Sequence, residues 1–379
     1  MRRLSFVLSL TISTLPILVA CAPPLPKDQP EIIATGEQGS DTGSDTGSDT
    51  GSDTGSDTGS DTGSEGPDLD IASAEEFQAL VENARAELTQ TFSFDASQYA
   101  ELQGEQGTMV YIGSNSLLHS DGTAVEGEVT YELMELYSKG DMLVADMPST
   151  GRLPNGDIAQ LISGGEHFVN ATQNGEDLVL GLPLFLRAPA DNTGGSDDDM
   201  TLFRPEQVDP DLATPGEFAD GAWVEEEVNG EEFGIDKEGR NGDGTAVSET
   251  YWLLSGQFGW TNIDRWYSDP RPKTEIHVDV PEGWDDTNSA VYISYDGEPT
   301  ALAQFDTYDA STELFSEHYG LIPIGLEVHI IFVTETNGQW TYAISGETIQ
   351  DEHLTVFDAP ENFISTDLDG LSSAINALP

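Results

Sequence analysis

The chain has 379 residues, with 70 acidic side chains against 13 basic ones and a formal net charge of −57. That balance excludes nucleic acid as a partner, because phosphate binding needs a basic face, and it excludes adsorption to an anionic membrane surface. One cysteine excludes an internal disulfide and a cysteine-built zinc cage.

Met1-Arg2-Arg3 opens the chain with positive charge, and Leu4 to Val19 is mostly apolar. This is the layout of a secretory signal peptide, and it is shorter than the roughly 20 apolar residues of a membrane span. The run ends Leu18-Val19-Ala20-Cys21, with the only cysteine of the chain in last place. The ending resembles the lipobox of bacterial lipoprotein signals. The resemblance implies removal of residues 1–20, a diacylglycerol thioether on Cys21 and a partner membrane held through that lipid. Ala22, where an aspartate would favour retention, points by the same resemblance to the outer membrane.

Residues 22–70 show no hydrophobic periodicity, and Ser-Asp-Thr-Gly repeats six times from Ser40 to Gly63. Such a segment cannot bury enough apolar area to offset the entropy of ordering, so residues 21–70 are expected to form a lipidated, disordered tether. A coil of this length spans roughly 40 Å. Asp-Thr-Gly-Ser also matches the aspartic-protease motif. Here, however, the flanks are the same four residues again, whereas that chemistry needs two rigidly held carboxylates between apolar strands.

From residue 71 the pattern becomes that of a folded chain. Ser73-Ala74-Glu75-Glu76 is a capping box, followed by Phe77, Leu80, Val81, Ala84 and Leu88 at helical spacing, which predicts a helix to about Thr89. Strand-like runs follow at Thr108–Ile112 and Glu128–Tyr137, where Val129, Tyr131, Leu133 and Glu135 share a face. Turns are expected at Asp121-Gly122 and Lys139-Gly140. His167–Ala171 and Leu178–Leu180 flank Asn174-Gly175, a hairpin signal. Residues 71–190 therefore read as a helix plus a β-sandwich module.

Residues 191–248 are rich in Gly, Asp and Glu, with Leu202, Phe203, Trp223 and Phe233 as apolar anchors, and read as an acidic connection. From 249 strands resume: the aromatic-rich stretch Tyr251–Tyr267, then Ile276–Val280, Val291–Tyr295, Glu327–Val333 and Gln339–Ile344 around Asn337-Gly338, and Leu354–Phe357. Leu368, Leu371, Ile375 and Leu378 close the chain at helical spacing. Residues 249–379 thus read as a second β module with a C-terminal helix. The fold class expected is mainly β: two antiparallel β-sandwich-like modules with short flanking helices behind a disordered tether.

Gly107–Ile112 with Asp121-Gly122 and Glu128–Thr130 resembles the opening of a β-sandwich module in a family of uncharacterised two-module bacterial surface lipoproteins, and is faintly similar to ZU5 domains. Phe258–Arg265 with Ser268-Asp269-Pro270-Arg271 resembles the start of the second module in the same family. The resemblance implies an exported two-module lipoprotein and no activity; the ZU5 likeness implies protein interaction.

Three kinds of candidate chemistry stand out. Alternation through 258–266 puts Phe258, Trp260, Asn262, Asp264 and Trp266 on one strand face with Arg265 beside them, and of these Trp260, Asp264, Arg265 and Trp266 form a set suited to binding a sugar or peptide, or to a structural corner. Asp197, Asp198, Asp199 and the loop 236–244 with Asp243 offer hard oxygen ligands of the kind Ca²⁺ takes. They miss the EF-hand spacing, since Gly244 at the glycine position leaves Thr250 at position twelve. The histidines, His277 and His329 among them, are scattered without an i, i+4 pair, and no nucleophile elbow or phosphate loop is present. No cofactor is required, and no catalytic residue is assigned. The expected function is a lipid-anchored envelope protein with a binding, adhesive or structural role towards another envelope protein or a glycan. An envelope hydrolase with a non-local site and a surface divalent-cation binder are the alternatives.

Overall fold

The computed structural model describes residues 71–205, 222–228, 230–238 and 248–379. The expected signal peptide, Cys21, the repeat tether and Asp243 lie outside the described residues. What is described is mainly β, built from several predominantly antiparallel sheets with a few helices.

The capping box forms as read. Ser73 Oγ accepts from the Glu76 N–H (3.3 Å) and the Glu76 carboxylate accepts from the Ser73 N–H (2.9 Å), opening helix α1 (Ala74–Leu88). Lys139-Gly140, expected as a turn, instead begins helix α2 (Lys139–Val144). Ser138 caps it by accepting from the Asp141 N–H (3.1 Å). Burial of Met142, Leu143 and Val144 outweighs the local turn preference of Lys-Gly. Helix α3 (Leu368–Asn376) is capped by Asp367, which accepts from the Gly370 N–H.

Sheet I runs in the order Gln90–Asp95, Glu128–Leu136, Ile158–Gln173, Gly259–Trp266, Thr201–Pro205, Trp223–Glu225 and Thr150–Arg152. The last of these returns to pair with the start of Ile158–Gln173, so five of the strands close into a small barrel. One link of that ring is a single parallel bridge, Trp223 to Gly151. Sheet II has the order Phe233–Glu238, Ser248–Ser255, Leu184–Pro189, Met109–Ile112 and Ala100–Gln103. Tyr131, Leu133 and Val169 of sheet I pack in one core with Val110, Leu186 and Leu253 of sheet II, forming the first sandwich.

The second sandwich pairs sheet III (Thr307–Asp309, Leu314–Pro323, Lys273–Asp279, His353–Val356) with sheet IV (Leu302–Gln304, Ser289–Tyr295, Glu327–Thr336, Gln339–Thr348, Ile364–Thr366). His353–Val356 is added in parallel to Lys273–Asp279, a departure from the antiparallel rule. Sheet IV is covered on both faces. Val291, Ile293 and Phe332 join the sandwich core, while Tyr292, Ile331, Val333 and Trp340 pack with residues of the three helices. Every residue of Ser289–Tyr295 is accordingly buried, as expected of a strand without a solvent face. Asn174-Gly175 and Asn337-Gly338 both turn with positive φ (56° and 81°; 55° and 79°), the backbone that two-residue hairpins require.

The expected boundaries need correction. Residues 191–248 do not merely connect: Thr201–Pro205 and Trp223–Glu225 complete the barrel, and Phe233–Glu238 forms the edge of sheet II. Gly259–Trp266, expected to belong to the second module, is a central strand of sheet I. The change of module falls after Trp266. The four anchors divide: Phe203 and Trp223 are fully buried inside the barrel, while Leu202 and Phe233 pack on the sandwich core.

Candidate functional site

The expectation of one shared face is met for Trp260, Asn262, Asp264 and Trp266, and that face is the inside of the barrel. Phe258 departs from it: it precedes the strand, beyond Gly259 at φ +106°, and its ring meets Tyr131 of the sandwich core at 6.4 Å. Antiparallel partners point to the same side, so Phe203 opposite Asn262 and Thr201 opposite Asp264 join them. Trp260 meets Trp223 edge to face at 6.4 Å and Phe168 at 5.4 Å, and Trp266 meets Phe203 at 5.5 Å. Beneath the Trp266 ring lies Gly151, where a Cβ would stand 2.8 Å from the indole and 2.9 Å from Leu161.

Between these rings sits a pair of acids. Register slips between Asn262 and Asp264, where Gly164 and Gly165 stand against the single residue Ile263 as a bulge, with Gly165 at φ +126°. The bulge brings Glu166 and Ser163 onto the Asn262 face. Asn262 Nδ2 donates to Glu166 Oε1 (3.1 Å) and Asp264 Oδ2 (2.7 Å), and Ser163 Oγ donates to Asn262 Oδ1 (3.0 Å). Glu166 and Asp264 are 0% exposed. Burial pushes both carboxyls well above their usual range, and the proximity of Asp264 adds to the rise at Glu166. Both groups are therefore held as neutral acids, bridged by an amide.

The opposite face of the same strand carries a second buried polar group. His167 Nε2 lies 3.0 Å from the Tyr137 hydroxyl, which lies 2.7 Å from Thr108 Oγ1. Burial lowers His167 to about 4, so its ring is neutral at pH 7. Beside it, the Glu135 carboxylate accepts from Gln90 Nε2 (2.8 Å) and from the backbone N–H groups of Gln106 (3.0 Å) and Thr108 (2.8 Å). Three donors satisfy a buried carboxylate and fasten the loop 104–108 to sheet I.

Arg265 points away from the barrel, and its Nε donates to Asp197 Oδ2 at 2.7 Å. Two sets that the sequence left separate thus meet. Asp197 pairs with Arg265, Asp198 with Lys237 (3.2 Å), and Asp199 N–H returns to Asp197 Oδ1. Two of the three acids in the triplet are engaged by cations, and among the described residues no group of three or more His, Cys, Asp or Glu converges as metal ligands. His329 Nδ1 lies 2.7 Å from Asp296 Oδ1, and His277 lies beside Glu275, so neither joins a site.

A partly open cleft lies between the modules, with about 180 Å³ of space. Ile158, Ala159 and Trp266 line it from the first module, Tyr267 from the junction, and Tyr295 and Ile322 from the second. Tyr267 and Tyr295 meet edge to face at 5.1 Å. Lys273, Asp306 and Glu317 are its charged members. Burial, with the charge of Glu317 second, keeps the Tyr295 hydroxyl protonated. Trp266 is thus the one predicted binding residue that reaches both the barrel and a cleft. Sequence reasoning missed Tyr295 and Glu317, which come from a strand and a sheet far along the chain. It also missed Glu166, although Gly164-Gly165 inside a strand-like run is a bulge signal.

Compared with known protein families and with curated proteins, the chain matches none.

Proposed function

We propose that the protein is a lipid-anchored component of the bacterial outer membrane that binds an envelope partner without transforming it. Cys21, at the end of the lipobox-like run, carries the anchor. The inter-module cleft receives one apolar or aromatic group of the partner. The observation that supports binding is the composition of that cleft: aromatic and aliphatic walls from both modules with a few charged groups at hand, the ordinary character of a recognition site. The acids with the most perturbed ionisation, Glu166 and Asp264, are instead sealed in the barrel, where no substrate reaches them.

Two experiments test the reading. Cys21→Ser should move the protein from the membrane fraction to the soluble one; a variant that sediments with membranes as the parent does refutes the anchor. Leu153 lines the cleft and is half-buried. Leu153→Trp should fill it and abolish capture of the envelope partner, with the melting temperature kept. Undiminished capture refutes the cleft as the site.

A further inference from the structure

The outer face of sheet II carries a feature that neither the cleft nor the barrel explains. Along its strands alternate residues face the sandwich core: Val110 and Ile112, Leu184 and Leu186, Tyr251 and Leu253 are all at most 1% exposed. The residues between them face outward. Register places Tyr111 opposite Phe185, and Phe185 opposite Leu254. Trp252 lies one row on, opposite Gly234. Tyr111 and Phe185 have ring centroids 5.6 Å apart, and Phe185 and Trp252 6.0 Å apart. The three half-buried rings form one continuous aromatic band across three strands, on the side of the sheet away from its core.

The band is built. A Cβ at Gly234 would stand 2.7 Å from the Trp252 indole, so the glycine is what lets the indole lie down on the neighbouring strand. Tyr99 is 59% exposed and precedes the edge strand, and Leu254 at 37% extends the apolar row. The rim is polar. Glu101 stands opposite Tyr111, and Arg187 reaches Asp236 and Glu238 at 3.5 Å each.

We infer that this face is a binding site for a neutral polysaccharide chain. A pyranose ring has an apolar C–H face and a perimeter of hydroxyls. The C–H face suits the electron-rich face of an aromatic ring, and carboxylates and a guanidinium at the margin take the hydroxyls. Charge selects among glycans. Three acids and one arginine stand at the margin here, on a chain of net charge −57, so anionic polysaccharides are repelled. Shape selects further. Successive rings tilt by 37° and 39°, so they share no common plane, and the platform fits a single chain and not the flat surface of a crystalline polymer. The site lies on a different sheet from the cleft and does not depend on it.

The test is affinity electrophoresis of the full chain through gels holding dextran, soluble β-glucan or xylan, with alginate as the anionic control. Retardation is expected on at least one neutral polymer and not on alginate. Phe185→Ala and Trp252→Ala each should weaken it at least tenfold. Gly234→Ala, which displaces the indole without removing a contact, should weaken it as well, whereas Leu153→Trp in the cleft should leave it unchanged. Circular dichroism establishes that each variant is folded; outward-facing Phe185 and Trp252 leave the core intact. Three results would overturn the inference: retardation on none of the neutral polymers, retardation equal in parent and Trp252→Ala, or a dimer in sedimentation that Trp252→Ala dissolves, which would make the face a protein interface. Survival of the membrane anchor with loss of sugar binding, or the reverse, separates this inference from the proposed function.

Discussion

Glu166 and Asp264 make the fold sensitive to pH in a direction opposite to that of ordinary paired acids. In the unfolded chain they ionise near their usual values of 4.5 and 3.8; in the folded chain burial keeps them protonated well above that. The folded state holds protons that the unfolded state has lost. Their contribution is therefore whole below about pH 4 and declines as pH rises towards the folded value. The decline is about 1.4 kcal/mol per pH unit for each group. Glu166→Gln keeps the side-chain shape and an oxygen to accept from Asn262, and removes one titration. Relative to the parent, the variant should gain stability as pH rises from 5 to 7. Urea unfolding at pH 5, 6 and 7 measures the gap, in 1 M salt where a screening length of about 3 Å suppresses repulsion among the surface acids. The difference between parent and variant also cancels the titration of the groups that do not interact with Glu166; Asp264, which does, titrates in both. A gap that stays constant from pH 5 to pH 7 would refute a protonated Glu166 inside the barrel.

His167 provides the counterpart. Because burial lowers it to about 4, stability is lost as pH falls from about 6.5 towards that value, and the ring should titrate near 4 by ¹H–¹³C NMR; a midpoint near 6.5 would show that the ring is not sealed. Gly151→Ala places a methyl against Trp266 and Leu161. It should cost about 1–3 kcal/mol in urea melts and alter tryptophan fluorescence; an unchanged melt would mean that the barrel interior is loosely packed.

Element type was legible wherever local chemistry decides it. The capping box at Ser73, the two Asn-Gly hairpins and the alternation through Val129, Tyr131 and Leu133 each formed as their residues required. What was not legible was which strands share a sheet. Leu202, Phe203 and Trp223 were visible as anchors, but their partners are distant: Phe203 pairs with Asn262, and Trp223 bridges to Gly151. Ring closure is a property of pairing between segments up to about a hundred residues apart, and periodicity carries no information on it. The Lys139 helix shows the same limit. A Lys-Gly start reads as a turn until tertiary contacts bury Lys139 itself, whose ammonium donates to Ser294 Oγ and to the carbonyls of Leu378 and Pro379.

Trp252 and Trp260 state the difficulty most sharply. They lie eight positions apart, in consecutive strands of the same aromatic-rich stretch, and both alternate with apolar neighbours. Alternation assigns each to a face and cannot say what covers that face. Trp260 meets the ring of strands that closes around it and becomes core, 5% exposed. Trp252 sits on a sheet whose other side is already occupied by Tyr251 and Leu253, so nothing of the sandwich remains to cover it. The residue that looked like a binding group is therefore structural, and the one that drew no notice is available to a ligand. The distinction follows from the closure of a barrel by strands at 201–205 and 223–225, segments that the composition of the chain had marked as mere connection.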